Sequence, residues 1–132
     1  MTPTTTIREA LTDPKLLGNV LAGDSWSAWR VLLIASMGEA LTDDERVIFK
    51  ALTGRDHEPL ERVEELEAVV GRRGGKSRAM ATLATYIGGL CEHPLAPGER
   101  GVLLASRPIN GKPRSRSTMR RQHLKARRSC RN

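Results

Sequence analysis

The fold of this chain is decided by one stretch, Val69-Val70-Gly71-Arg72-Arg73-Gly74-Gly75-Lys76-Ser77. An apolar run ends there in a loop of glycine and arginine, and a Lys-Ser pair follows the loop. The next apolar residues recur at steps of three and four, at Met80, Leu83, Ala84, Ile87 and Leu90. This spacing predicts an amphipathic helix. The whole order suits phosphate binding, because glycine backbones allow several N–H groups to surround one anion.

A strand, a glycine loop, Lys-Ser/Thr and a helix are the parts of the P-loop, a nucleotide-binding motif. Its lysine reaches the β- and γ-phosphates, and the hydroxyl after it contacts Mg²⁺ at a helix N-terminus that favours anions. Lys76 and Ser77 hold these two positions. The standard spacing places its first glycine at position 70, which is Val70 here, and Gly71 comes one residue late. The alternative is therefore a glycine-arginine turn between two elements.

Three upstream segments accompany this loop: Trp26-Ser27-Ala28-Trp29-Arg30-Val31-Leu32-Leu33, Leu41-Thr42-Asp43-Asp44-Glu45-Arg46 and Leu52-Thr53-Gly54-Arg55. Together with residues 66–77 and their G-R-R-G-G-K-S core, they resemble the large subunit of phage terminases. Those proteins are ATPase-nucleases that pump viral DNA into capsids. The resemblance runs from about residue 13 to residue 105 and includes the variant Walker A form of the loop.

The resemblance implies ATP and Mg²⁺ as cofactors and gives each loop residue a role. Arg72 takes the position of a catalytic arginine finger that acts on the γ-phosphate. Ser77 also contacts the metal. The nucleotide-binding residues implied are Gly71, Arg73, Gly74, Gly75, Lys76 and Ser77. The implied partners are viral double-stranded DNA and, in the intact family, the small terminase subunit and the capsid portal, with no membrane.

The sequence predicts an α/β fold in which N-terminal helices precede an incomplete P-loop NTPase β-α-β unit. The helical region is expected at residues 1–60 and the partial ATPase core at residues 61–106. Two parallel strands are predicted at residues 66–70 and 101–105, and the helix between them forms a right-handed crossover.

The N-terminal region carries helix signals of its own. Trp26 and Trp29 share a helical face with Leu33 and Met37, which predicts two core anchors; a contact with the adenine of a nucleotide is the alternative. The second helix is expected to begin with the capping box Thr42-Asp43-Asp44-Glu45 and to end at Gly54.

Residues 107–132 differ from the rest of the chain in charge. They hold ten of the 22 Lys and Arg residues and none of the 15 acidic residues. Residues 1–106 therefore carry twelve basic and fifteen acidic side chains, a net charge of −3. One interpretation is a disordered basic tail that neutralises nucleic-acid phosphates. The other is a change of reading frame, because synonymous codons for residues 108–132, read one base earlier, can spell the terminase-like string PDQRQAQVALDYAPAAFEGSPILQE.

The location expected is the cytoplasm of a bacterial host cell. No apolar run approaches the ~20 residues that a membrane helix needs. The first residues, Met1-Thr2-Pro3-Thr4-Thr5-Thr6, lack the basic-then-apolar pattern of a signal peptide. Cys91 and Cys130 show no pairing pattern, which predicts reduced thiols.

Hydrolysis adds a further requirement, since a P-loop ATPase holds Mg²⁺ with an acidic residue at the end of a later strand. No Asp or Glu follows residue 105. We therefore expect a truncated, terminase-like ATP-binding part of a DNA-packaging motor that does not hydrolyse ATP by itself. The alternative is a small helical protein that binds nucleic acid through its basic C-terminal tail. A third possibility is a helical adaptor with only protein partners.

Overall fold

A computed structural model describes residues 1–106 of the chain. The elements in chain order are β1 (Thr2–Pro3), α1 (Ile7–Thr12), a 3-10 turn (Asp24–Trp26), α2 (Ser27–Ser36), α3 (Asp43–Thr53), α4 (Lys76–Gly89) and β2 (Cys91–Glu92). The two short strands pair antiparallel, with Thr2 opposite Glu92 and Pro3 opposite Cys91. The architecture is thus helical with a small two-stranded sheet, which is α/β in a loose sense.

Helix α3 begins and ends where the sequence predicts. The hydroxyl of Thr42 accepts the N–H of Glu45, and the Glu45 carboxylate accepts the N–H of Thr42 at 2.9 Å, so the predicted capping box is confirmed. Gly54 ends the helix in the left-handed conformation, with φ of 72°. Helix α1 has the same kind of start, a capping box between Thr6 and Glu9.

One hydrophobic core holds the described elements together. The largest fully buried side chains are Ile7, Leu21, Leu33 and Tyr86, which come from α1, the loop after it, α2 and α4. Residues from both sides of the predicted boundary at residue 60 therefore share this core. The Tyr86 hydroxyl also donates a hydrogen bond of 2.7 Å to the carbonyl of Thr5. These contacts fix α4, and with it the start of α4, against the N-terminal helices.

The prediction of two strands at residues 66–70 and 101–105 is wrong. Both segments lie outside regular secondary structure. A strand exists only through ladder hydrogen bonds to a neighbour, and within residues 1–106 no backbone hydrogen bond involves either segment. Val69, Val102 and Leu104 are largely exposed as a result. The helix predicted between the two strands is confirmed as α4, and the predicted disordered or frame-changed tail lies outside the described residues.

Candidate functional site

The glycine-arginine loop leads directly into an uncapped helix start. Gly75 holds the cap position of α4, and no side chain accepts a hydrogen bond from the first turn. The first bond of the helix joins the Ala79 N–H to the Gly75 carbonyl at 3.0 Å. The N–H groups of Lys76, Ser77 and Arg78 have no acceptor among residues 1–106. Such free donors at a helix N-terminus, together with the helix dipole, attract anions.

The loop backbone is bent into a shape that gathers these donors. Gly75 is left-handed, with φ of 76°, and Lys76 begins the right-handed helix directly after it. A left-handed residue beside a right-handed one turns successive N–H groups toward one concave side, which is an anion-binding nest. Arg73 has φ of 62° and is the only non-glycine residue with positive φ within the described region. Backbone strain of this kind is concentrated at functional loops.

Two of the three loop glycines lie so close to a neighbouring side chain that an added Cβ would force a shift. A Cβ on Gly75 would lie 2.5 Å from the Trp26 ring, and a Cβ on Gly74 would overlap the Val70 side chain. Gly71 is not among the glycines with positive φ, and an added Cβ there would have no neighbour within 4 Å. Its carbonyl instead accepts the N–H of Gly74 at 3.3 Å, which closes the turn.

Both tryptophans contact the loop. The Trp29 indole N–H donates a 2.7 Å hydrogen bond to the Gly74 carbonyl, across 45 positions of sequence. Trp29 is buried, whereas Trp26 is partly exposed beside the loop. The Arg78 guanidinium lies 5.3 Å from the centroid of the Trp26 ring, a cation–π geometry. Trp29 belongs to the buried core and Trp26 packs against that core while partly exposed, so the predicted core role is confirmed for Trp29 and in part for Trp26.

The loop, the helix start and Trp26 line an open cleft of about 460 Å³. This volume lies within the ~300–1,000 Å³ typical of small-molecule sites. The cleft is lined by Trp26, Arg73, Gly74, Gly75, Lys76, Ser77 and Arg78. Three of these side chains are cations and none is a carboxylate. The donor set fits the oxygens of a phosphate chain. For Mg²⁺ it supplies one oxygen ligand, the Ser77 hydroxyl.

The structure brings together five of the seven predicted site residues: Arg73, Gly74, Gly75, Lys76 and Ser77. Gly71 and Arg72 lie at the start of the loop and do not line the cleft, so the action of Arg72 on a γ-phosphate stays a prediction. Sequence reasoning missed Arg78 and the Trp29 hydrogen bond. A cation directly after Lys-Ser is a usable signal for Arg78, whereas a contact across 45 positions leaves no local pattern.

A second cleft, of about 330 Å³, lies between α1, α2 and α3 and has charged groups in its lining. The two cations among those groups already have partners. Arg8 forms a bidentate ion pair with Glu45, with both distances 2.8 Å. Arg30 donates to the carbonyls of Leu21 and Gly23. Because these donors are used within the protein, the cleft at α4 is the stronger candidate for a ligand.

Residues 1–106 contain no group of three or more His, Cys, Asp or Glu side chains placed to hold a metal ion. Within the same residues no helix combines the length and the apolar character needed to cross a membrane.

Comparison of the chain with models of known protein families, with curated proteins and with solved structures gives no match.

Proposed function

We propose that this chain binds the phosphate chain of ATP at the start of α4, as the ATP-binding part of a terminase-like DNA-packaging protein. One observation carries the proposal. The Arg-Gly-Gly-Lys-Ser sequence, with strained backbone at Arg73, forms a loop and an uncapped helix start in a cleft that has three cations and no carboxylate. Within residues 1–106, no ion pair neutralises Arg73, Lys76 or Arg78. An anionic ligand would supply the missing acceptors.

Each residue of the cleft has a distinct role in this proposal. The N–H groups of Lys76, Ser77 and Arg78 donate to phosphate oxygens at the helix N-terminus. The Lys76 ammonium and the Arg73 guanidinium neutralise the charge of the phosphate chain. Mg²⁺, carried in with the nucleotide, would add charge neutralisation and would take the Ser77 hydroxyl as its protein ligand. The Trp26 ring borders the cleft, where the rest of the nucleotide would extend.

The cleft supports binding rather than hydrolysis. Hydrolysis needs a group that positions and activates water, and an acidic side chain that holds the metal. No carboxylate lines the cleft in the described part of the chain. We therefore propose that residues 1–106 hold nucleotide without turning it over.

The wider parts of the proposal rest on the resemblance of the loop and the three upstream segments to terminase large subunits. They are Arg72 as an arginine finger, and double-stranded viral DNA, the small terminase subunit and the portal as partners. The setting proposed is the cytoplasm of a bacterial host cell.

The test is a calorimetric titration of the full chain with Mg-ATP. Lys76→Ala removes one charge-assisted contact worth about 1.5–3 kcal/mol, so we expect affinity to fall about 10- to 150-fold. Lys50→Ala is the matched control, because Lys50 is an exposed lysine on α3 that pairs with Asp56 and not with the cleft. Equal affinity in the Lys76 variant and the control would remove the basis of the proposal.

A second candidate function is favoured by the charge of residues 107–132, where ten basic residues occur without an acidic one. This is nucleic-acid binding through phosphate neutralisation, and it predicts a steep loss of affinity with salt. Deletion of residues 107–132 separates the two functions. Nucleic-acid affinity that vanishes on deletion, in a chain that never binds Mg-ATP, would favour the second candidate.

A further inference from the structure

We infer that Trp29 is a positioning residue for the phosphate loop, a role that rests on the proposed function. Its indole N–H donates to the carbonyl of Gly74, the residue before the cap of α4, at 2.7 Å. Trp29 itself is 8% exposed and belongs to α2, which packs against both α1 and α3. The loop is therefore anchored to a helix that packs against two other helices.

The hydrogen bond controls which way a peptide dipole points. A carbonyl oxygen aimed into the cleft would repel phosphate oxygens, while a carbonyl held by the indole is directed away from them. The N–H of Gly74 is also used, since it donates to the Gly71 carbonyl. Both polar groups of Gly74 are thus satisfied within the protein. The N–H groups of Gly75, Lys76, Ser77 and Arg78 have no acceptor among residues 1–106, so they are available to the proposed ligand.

Trp26 restricts the same loop through its contact with Gly75, the residue after Gly74. An added Cβ on Gly75 would meet the Trp26 ring at 2.5 Å and the Trp29 indole nitrogen at 3.4 Å. The two rings together leave Gly74 and Gly75 little room to move toward the α2 side. The loop is thus held in its binding shape before the ligand arrives, and pre-organisation of this kind improves affinity by lowering the ordering cost.

The test compares two variants that each remove one buried donor to a backbone carbonyl at 2.7 Å. Trp29→Phe removes the bond to Gly74, and Tyr86→Phe removes the bond from the Tyr86 hydroxyl to the Thr5 carbonyl. Tyr86 is fully buried and lies away from the cleft lining. Both changes should lower the melting temperature, but only Trp29→Phe should disturb the loop.

The probes are Mg-ATP and inorganic tripolyphosphate, titrated into the full-length chain. We expect Trp29→Phe to weaken both about tenfold, the change that follows from one hydrogen bond of roughly 1.4 kcal/mol. Tyr86→Phe should stay within about twofold of the unmodified chain, since its lost bond does not reach the loop. Equal effects of the two variants, or no effect of Trp29→Phe, would overturn the positioning role while leaving the proposed function intact. An unmodified chain that binds neither probe would overturn both.

A second measurement needs no variant at Trp29. In a chain labelled with ¹⁵N-tryptophan, two indole N–H signals are expected, and Trp26→Phe identifies the one from Trp29. We expect the Trp29 signal to exchange slowly with solvent before any ligand is added, because its proton is held by the Gly74 carbonyl. Fast exchange of that proton would contradict a preformed loop.

Discussion

Gly75→Ala tests the loop geometry with a magnitude that follows from two separate costs. The first is conformational: Gly75 has φ of 76°, and the left-handed region costs about 1–2 kcal/mol for a residue with a Cβ. The second is steric: the new Cβ would lie 2.5 Å from Cζ3 and 2.6 Å from Cη2 of Trp26. Overpacking of this kind costs about 1–3 kcal/mol. The expected loss in the free energy of unfolding is therefore about 2–5 kcal/mol.

Gly54→Ala is the matched control. Gly54 also adopts the left-handed conformation, with φ of 72°, but an added Cβ would have no neighbour within 4 Å. Only the conformational cost of about 1–2 kcal/mol applies to it. The difference between the two variants, about 1–3 kcal/mol, then measures the contact between Gly75 and Trp26.

The assay is urea unfolding followed by far-ultraviolet circular dichroism, which does not depend on tryptophan fluorescence near the changed site. Adding Trp26→Ala to the Gly75→Ala chain should recover the steric part of the loss, as a double-mutant cycle would show. Equal destabilisation by Gly75→Ala and Gly54→Ala, or no recovery in the double variant, would refute the close packing of the loop on Trp26.

Two other predictions concern the α3 region. Hydrogen bonds from the Arg46 guanidinium and then from the Leu41 N–H lower the pKa of Glu58 from 4.5 to about 2. A group whose pKa is lowered on folding stabilises the fold at pH values above its ordinary pKa, and this stabilisation is lost as pH falls toward 2. Glu58→Gln should therefore lower the melting temperature at pH 7 and have little effect near pH 2. A difference in melting temperature that stays constant across this pH range would contradict the ion pair. Thr42→Ala removes the hydroxyl of the α3 capping box and should cost about 1 kcal/mol in urea unfolding, and an unchanged midpoint would show that the cap contributes nothing.

What the sequence predicts well here is set by neighbours along the chain. The capping box at Thr42, the glycine stop at Gly54 and the helix after Ser77 all depend on residues within about four positions, and all three are present. The gathering of Arg73 to Ser77 around one cleft follows in the same way, because a glycine loop and a helix start are contiguous.

What the sequence predicts poorly depends on partners far along the chain. The apolar runs at residues 66–70 and 101–105 have the composition of strands, but a strand needs a neighbour to accept and donate its hydrogen bonds, and the described residues offer none. The hydrogen bond from Trp29 to Gly74 cannot be predicted for the same reason, since no local sequence pattern at either residue indicates the other.

The most direct test of nucleotide binding at the start of α4 is the backbone amide spectrum of the ¹⁵N-labelled chain during a Mg-ATP titration. The free N–H groups of Lys76, Ser77 and Arg78 should take phosphate oxygens as acceptors, so their signals, with that of Gly75, should shift first and furthest. Tripolyphosphate should reproduce these shifts. A titration that leaves these four signals in place, at ATP concentrations that perturb other parts of the chain, would contradict the proposed site.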